Sequence, residues 1–83
     1  MYRVDTDEQV QQQVGQLPAE VLAAYAELRI LLEVKPWSGE PLNDENPDGP
    51  VRTLSFGRGF GLVTFLILED QRRVDLLQVI WIG

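Results

Sequence analysis

The last third of the chain has a hydrophobic pattern typical of β-strands. Three β-prone runs cover residues 51–56, 62–69 and 74–82. A glycine-rich segment separates the first two runs, and a charged segment separates the last two. Apolar runs of this length with short connections are typical of strands that pair with their sequence neighbours. The pattern therefore predicts a three-stranded antiparallel meander.

The first half of the chain has helical periodicity in two segments, after a short β-prone start at residues 2–4. Thr6 and Gln9 have the spacing of a capping box, which predicts the start of a helix. Its apolar positions are Val10, Val14 and Leu17. Pro18 ends this helix and suits the first turn of the next one, where no backbone N–H is needed. The apolar positions of the second helix are Val21, Leu22, Tyr25, Leu28 and Leu32, and Pro36 ends it.

Residues 38–50 have no periodic pattern and contain three prolines, two glycines and four acidic residues. This composition predicts a loop. The order of elements is then a short N-terminal strand, a helical hairpin, a loop and the three-stranded meander. Segregated helices and strands indicate an α+β fold, with the helices on one face of the sheet. At 83 residues, the chain is predicted to be a single domain spanning 1–83.

The strands at 62–69 and 74–82 carry apolar residues on both faces. Two helices cover only one face of a small sheet. The other face would expose Phe65, Leu77 and Trp81, or the residues opposite them, as a patch larger than most monomers tolerate. We therefore predict that the chain self-associates or binds another protein, with Phe65, Leu77 and Trp81 as the candidate partner interface.

The composition of the chain limits the kinds of site that it can form. The chain has no cysteine and no histidine, which excludes disulfides and removes the commonest general base and metal ligand. The carboxylates of the loop at 38–50 lack the spacing of a calcium site, so no metal and no cofactor is predicted. The N-terminus has no apolar signal core, and no apolar run reaches membrane-spanning length. We therefore expect a cytoplasmic protein without membrane contact.

The net charge of −6 disfavours binding to phosphate backbones. The charge is uneven, because residues 1–50 carry −7 and residues 51–83 carry +1. All four basic residues of the second segment are arginines, and they are the candidate contacts for an anion or a cellular target: Arg52, Arg58, Arg72 and Arg73. The alternative is that the arginines in turns are simply solvated.

The order of elements, together with Val51-Arg52-Thr53-Leu54 and a Gly-aromatic turn leading into a long apolar strand, resembles the RelE/ParE superfamily of toxin–antitoxin toxins. The resemblance covers nearly the whole chain. It implies a small bacterial protein with a protein antitoxin as partner. The implied target is messenger RNA in the ribosomal A site for RelE-like members, or gyrase for ParE-like members.

The resemblance also implies residue roles, and this sequence departs from several of them. Arg52 matches a commonly basic position, whereas Gly61 stands where the superfamily often has an arginine and Phe65 where a tyrosine is frequent. Cleavage through the RNA 2′-hydroxyl needs a proton acceptor, a donor and positive charge at the phosphate. We therefore assign no catalytic residue and predict little or no ribosome-dependent cleavage. The alternative function is a non-toxic interaction module that kept the fold.

Overall fold

A computed structural model describes all of residues 1–83 as a five-stranded sheet with two α-helices on one face. In chain order the elements are β1 (Arg3–Asp5), α1 (Glu8–Gly15), α2 (Leu22–Val34), β2 (Glu40–Pro41), β3 (Val51–Phe56), β4 (Gly61–Leu68) and β5 (Arg73–Trp81). The strand order is β1-β5-β4-β3-β2, with β1 parallel to β5 and the other pairs antiparallel. The predicted α+β class is confirmed. The meander β3–β4–β5 forms the centre of a larger sheet.

The start of α1 differs from the capping box predicted at Thr6 and Gln9. Asp7 is the N-cap, and the Val10 N–H donates to its carboxylate at 2.9 Å. A carboxylate is a strong N-cap because it accepts a hydrogen bond and carries the charge that the helix dipole favours. The Thr6 hydroxyl instead accepts a long hydrogen bond from Gln11 Nε2.

The segment 38–50, predicted to be a loop throughout, contains the short strand β2. Glu40 pairs with Thr53 and Pro41 pairs with Arg52. Proline is tolerated here because β2 is an edge strand, where one side of the backbone needs no hydrogen-bond partner. The loop prediction is therefore wrong for Glu40 and Pro41.

The hydrophobic core lies between the helices and one face of the sheet. Helix α1 packs mainly on β5, and α2 lies over β1 and β3. The most deeply buried core side chains are Val10 and Leu32 of the helices and Val63, Phe65 and Val74 of the sheet. The prediction that α2 packs on the sheet holds for Tyr25, Leu28 and Leu32. It is wrong for Leu22, which is 44% exposed at the first turn of the helix.

A β-bulge in β5 changes which residues face the helices. Thr64 of β4 pairs with Gln78 and the next residue, Phe65, pairs with Leu76, so Leu77 is an extra residue in β5. An extra residue reverses the alternation of faces beyond it. As a result Val79 and Trp81 lie on the helix side of the sheet together with Leu76.

Candidate functional site

The side of the sheet that faces away from both helices is called here the open face. Its residues are Val51, Thr53 and Ser55 of β3, Leu62, Thr64, Leu66 and Leu68 of β4, and Leu77, Gln78 and Ile80 of β5. Three of its apolar side chains are more than one third exposed: Leu62 at 39%, Leu77 at 45% and Ile80 at 38%. Exposed leucine and isoleucine side chains that share one sheet face are a candidate surface for contact with another protein.

The predicted interface residues do not lie together on this face. Phe65 is fully buried in the core, so its assignment to a partner interface is wrong. Trp81 packs on the helix side, with its ring 6.1 Å from the Phe56 ring and 6.3 Å from the Phe60 ring between centroids. Leu77 alone lies on the open face, because the bulge separates it from Trp81. In β4 the exposed residue is Leu62, which lies on the face opposite Phe65 and so belongs to the alternative set that the sequence left open.

One border of the open face carries four charged residues that pair with one another. The parallel register sets Arg3 beside Arg73 and Asp5 beside Asp75. Arg73 Nε lies 2.8 Å from Asp75 Oδ1 and 3.6 Å from Asp5, and Arg3 Nε lies 3.1 Å from Asp5. The hydrogen bond to Asp75, and then the charges of Asp75 and Asp5, raise the pKa of Arg73. Arg73 is thus engaged by two carboxylates of its own chain.

Arg52 is a structural residue. Its guanidinium donates to the backbone carbonyls of Gly49 at 3.1 Å, Gly39 at 2.9 Å and Pro47 at 2.7 Å, with a longer bond to Trp37 at 3.4 Å. It also lies 4.8 Å from the centre of the Trp37 ring. Arg52 is 8% exposed, so the prediction that it contacts an external anion is wrong. It binds the connection between α2 and β3 to the sheet.

Arg72 belongs to a cluster at the β4–β5 end of the sheet. Tyr2 donates its hydroxyl hydrogen to Glu69 Oε1 at 2.6 Å, and the Trp37 indole N–H donates to the same oxygen at 2.7 Å. Arg72 Nη1 donates to Glu69 Oε2 at 2.6 Å, and its guanidinium lies over the Tyr2 ring. No sequence signal joins these residues, because they come from three distant segments. The cluster joins the N-terminus, the exit of α2 and the last turn.

Hydrogen bonding shifts the pKa values in this cluster. The Tyr2 and Trp37 donors hold the pKa of the Glu69 carboxyl below its ordinary value, with Arg72 adding to the effect. The bond to Glu69 raises the pKa of Tyr2, and burial raises the pKa of Tyr25. Both phenols of the chain therefore stay protonated at neutral pH. Neither is suited to act as a general base.

Arg58 is the one predicted arginine that makes no ion pair or hydrogen bond. It lies exposed in the β3–β4 turn, in the left-handed region at φ 61° between Gly57 and Gly59. The eight residues of β4 separate this turn from the β4–β5 turn that carries Arg72, a distance of roughly 25 Å at the rise of a strand. Arg72 and Arg73 are adjacent in the chain but pair with different carboxylates, and Arg52 is buried, so the four arginines form no shared anion site.

Gly61 lies on the helix side at the start of β4, and the Phe56 ring occupies the space of a side chain there. An arginine at this position would have to displace Phe56, which itself packs against Tyr25 and Trp81. The position where the superfamily often has an arginine is thus part of the aromatic core here.

Two other kinds of site were searched for in the fold. No three acidic side chains converge in a way that could hold a metal ion. Neither α1 nor α2 has the length and apolar composition of a membrane-spanning helix.

Known proteins resemble this chain in fold but not in sequence. No protein-family model and no curated protein sequence matches the chain. The isolated RelE toxin of E. coli superposes with a TM-score of 0.80 at 10% identity, covering 100% of this chain and 86% of that chain. The E. coli RelBE toxin–antitoxin complex gives 0.78 at 11% identity, covering 95% and 94%. The archaeal RelE–RelB complex from Pyrococcus horikoshii OT3 gives 0.68 at 20% identity, covering 99% and 96%. The chain therefore has the RelE fold.

Proposed function

We propose that this chain is the RelE-fold member of a toxin–antitoxin pair and that it acts by binding protein through the open face. Structures of the same fold include complexes of RelE with the antitoxin RelB. The observation that carries the proposal is the exposure of Leu62, Leu77 and Ile80 on a face that the chain's own helices leave uncovered. Covering such side chains contributes roughly 25 cal/mol for each Å² removed from water.

The charges of the molecule favour a protein ligand over RNA. Arg73 pairs with Asp75 and Asp5, Arg72 pairs with Glu69, and Arg52 is bound by backbone carbonyls. Binding to RNA draws most of its affinity from phosphate contacts with free Lys and Arg. Because one arginine of the four is free, we expect weak RNA binding and little or no ribosome-dependent cleavage.

The second candidate is an interaction module that kept the fold without toxicity. The observation that favours it is the state of the proton-transfer groups, since the chain has no histidine and the pKa of each phenol is raised. A toxin directed at gyrase needs none of these proton-transfer groups, so their state does not decide between a toxin and an interaction module. The two candidates differ instead in what happens when the chain is expressed without a partner.

The test is expression of the chain alone and together with any small protein that is encoded beside it. We expect growth arrest by the chain alone, rescue by the neighbour, and co-purification of the two proteins. Leu62→Asp should abolish co-purification, whereas Glu20→Gln, at an exposed carboxylate next to α2, should leave it intact. Growth without arrest but with co-purification favours the interaction module. Normal growth and no co-purification would refute the proposal.

Ribosome-dependent cleavage has its own direct assay. Toeprinting on programmed ribosomes should show no new cleavage products with the purified wild-type chain. Robust cleavage would mean that a carboxylate or a tyrosine supplies the base, and it would return the chain to the ribonuclease branch of the resemblance.

A further inference from the structure

The turn between β3 and β4 holds Arg58 in an unfavourable backbone conformation. The Gly59 N–H donates to the Phe56 carbonyl at 3.2 Å, and the two central residues of this turn, Gly57 and Arg58, both have a φ of 61°. Turns of this kind favour glycine, asparagine or aspartate at their centre, because most side chains crowd the backbone there. Glycine would therefore suit position 58 better than arginine.

The Arg58 side chain forms no contact that compensates for this conformation. It is exposed, and it takes part in no ion pair and in no cation–π contact within the chain. A residue in a strained conformation that adds nothing to the packing of its own chain points to a role outside that chain.

Two exposed apolar side chains lie near Arg58. Phe60 is 51% exposed and rests edge-on against Trp81, with 6.3 Å between the ring centroids. The Ile82 N–H donates to the Phe60 carbonyl at 2.9 Å, which places Ile82, 76% exposed, at the same turn. Arg58, Phe60 and Ile82 are called here the turn tip. The turn tip lies beyond the last residue pair of β4 and β5, Gly61 with Trp81, and so outside the open face.

The hairpin that carries the turn tip is basic, although the protein has a net charge of −6. Residues 51–68 contain two arginines and no acidic residue. Arg52 is buried, so Arg58 supplies the charge that this hairpin offers to solvent. Glu27 of α2 lines a groove that includes Gly57, but it forms no ion pair with Arg58. The turn tip therefore combines an unpaired cation with exposed apolar surface.

We propose that the turn tip binds a segment of a partner protein that carries a carboxylate beside apolar or aromatic side chains. The carboxylate accepts hydrogen bonds from the Arg58 guanidinium, and the apolar side chains pack on Phe60 and Ile82. Arginine and aromatic residues are enriched at the centre of protein interfaces. This site goes beyond the proposed function and does not rest on it, because the turn tip lies outside the open face.

Charge and geometry favour this occupant over a nucleic acid or a second copy of the chain. A nucleic acid draws its affinity from many phosphate contacts, whereas the turn tip offers one cation on a protein of net charge −6. A second copy could bring its acidic loop at 38–50, but this loop and the turn tip are at opposite ends of β3. Such a head-to-tail contact generates rings or filaments rather than a simple pair. A separate partner protein binds without that requirement.

The probe is a short synthetic peptide in which Glu alternates with Leu and Phe, and its control is the same peptide with Gln in place of Glu. Fluorescence anisotropy measures binding to the full chain, and amide NMR shifts map the contact. We expect the Glu peptide to bind about 2- to 5-fold more tightly than the Gln peptide, the effect of one exposed ion pair. Added salt should remove that difference. The largest shifts should be at Arg58, Gly59, Phe60 and Ile82.

Variants separate the charge, the backbone and the apolar contact. Arg58→Gly should weaken binding of the Glu peptide about 2- to 5-fold and keep or raise the Tm, because glycine adopts a positive φ without strain. Arg58→Lys keeps both the charge and the backbone conformation, and it should keep most of the affinity. Phe60→Ala should weaken binding of both peptides about 5-fold or more. Arg3→Gln, which gives the same net charge as Arg58→Gly, should change neither the affinity nor the salt dependence.

Several results would overturn the inference. These are the absence of peptide binding, equal binding of the Glu and Gln peptides at low salt, or shifts confined to Leu62 and Ile80. Unchanged affinity in Arg58→Gly would also overturn it, and a lower Tm of that variant would assign Arg58 to the stability of the turn. A single-stranded RNA that binds more tightly than the peptide and depends on Arg58 would make the turn tip a nucleic-acid site. Self-association that Arg58→Gly abolishes would make the occupant a second copy.

Discussion

The two faces of β4 are similarly apolar, but one is buried beneath the helices and the other is partly exposed. Val63, Phe65 and Ile67 are at most 3% exposed beneath the helices, whereas Leu62, on the same strand, is 39% exposed. A strand that is apolar on both faces is typical of a sheet covered on both sides. In this chain the helices cover one side. This difference is the reason for the proposal that another protein chain covers the second side.

The largest expected effect contrasts these two faces. Phe65→Ala should cost about 3–5 kcal/mol of unfolding free energy, because it leaves a cavity in the core. In a domain of this size that loss could remove most of the stability. Leu62→Ala should change the unfolding free energy by less than about 0.5 kcal/mol. Urea unfolding followed by circular dichroism measures both, and equal losses would mean that the open face is covered within the monomer.

A second contrast concerns two arginines with different roles. Arg52→Ala should cost roughly 2–3 kcal/mol, because it removes the donors that satisfy several buried carbonyls. Arg58→Ala removes an exposed side chain without partners and should cost less than about 0.5 kcal/mol. Thermal unfolding gives both values. An Arg52→Ala variant that unfolds like the wild type but loses binding to a polyanion would restore Arg52 as an anion contact.

A smaller effect is expected at the Tyr2–Glu69 cluster. The pKa of Glu69 is lower in the folded chain than its ordinary value of 4.5. Its ionised form therefore stabilises the fold above pH 4.5, and this stabilisation disappears as the pH falls through the folded pKa. Glu69→Gln should lower the Tm at neutral pH and flatten its decline in acid. Asp70→Asn, at a neighbouring carboxylate without an ion pair, is the control and should keep the wild-type profile.

The local patterns were sufficient for most of the core and for the order of all elements except β2. Periodicity identified both helices, and the alternation in β4 separated Phe65 from Leu62 without showing which side the helices take. The bulge at Leu77 could not be foreseen, because an extra residue in a uniformly apolar run leaves no trace in the alternation. For this reason Leu77 and Trp81 were assigned to one face although they lie on different faces.

The candidate site was harder to predict than the fold, because its residues meet only in three dimensions. Arg52 is a charged residue on a strand, and nothing in its neighbourhood of the sequence shows that loop carbonyls surround it. Tyr2 and Glu69 are 67 positions apart. The strand β2 is only two residues long, and the loop-like composition of residues 38–50 concealed it.

The central claim is that the open face binds protein, and sedimentation velocity of the purified chain with an apolar dye present tests it most directly. The wild type should self-associate or bind the dye at high concentration. The double variant Leu62→Asp/Ile80→Asp should be a monomer that binds no dye and keeps its helical and strand content. A wild-type chain that sediments as a clean monomer and leaves the dye dark would contradict the account.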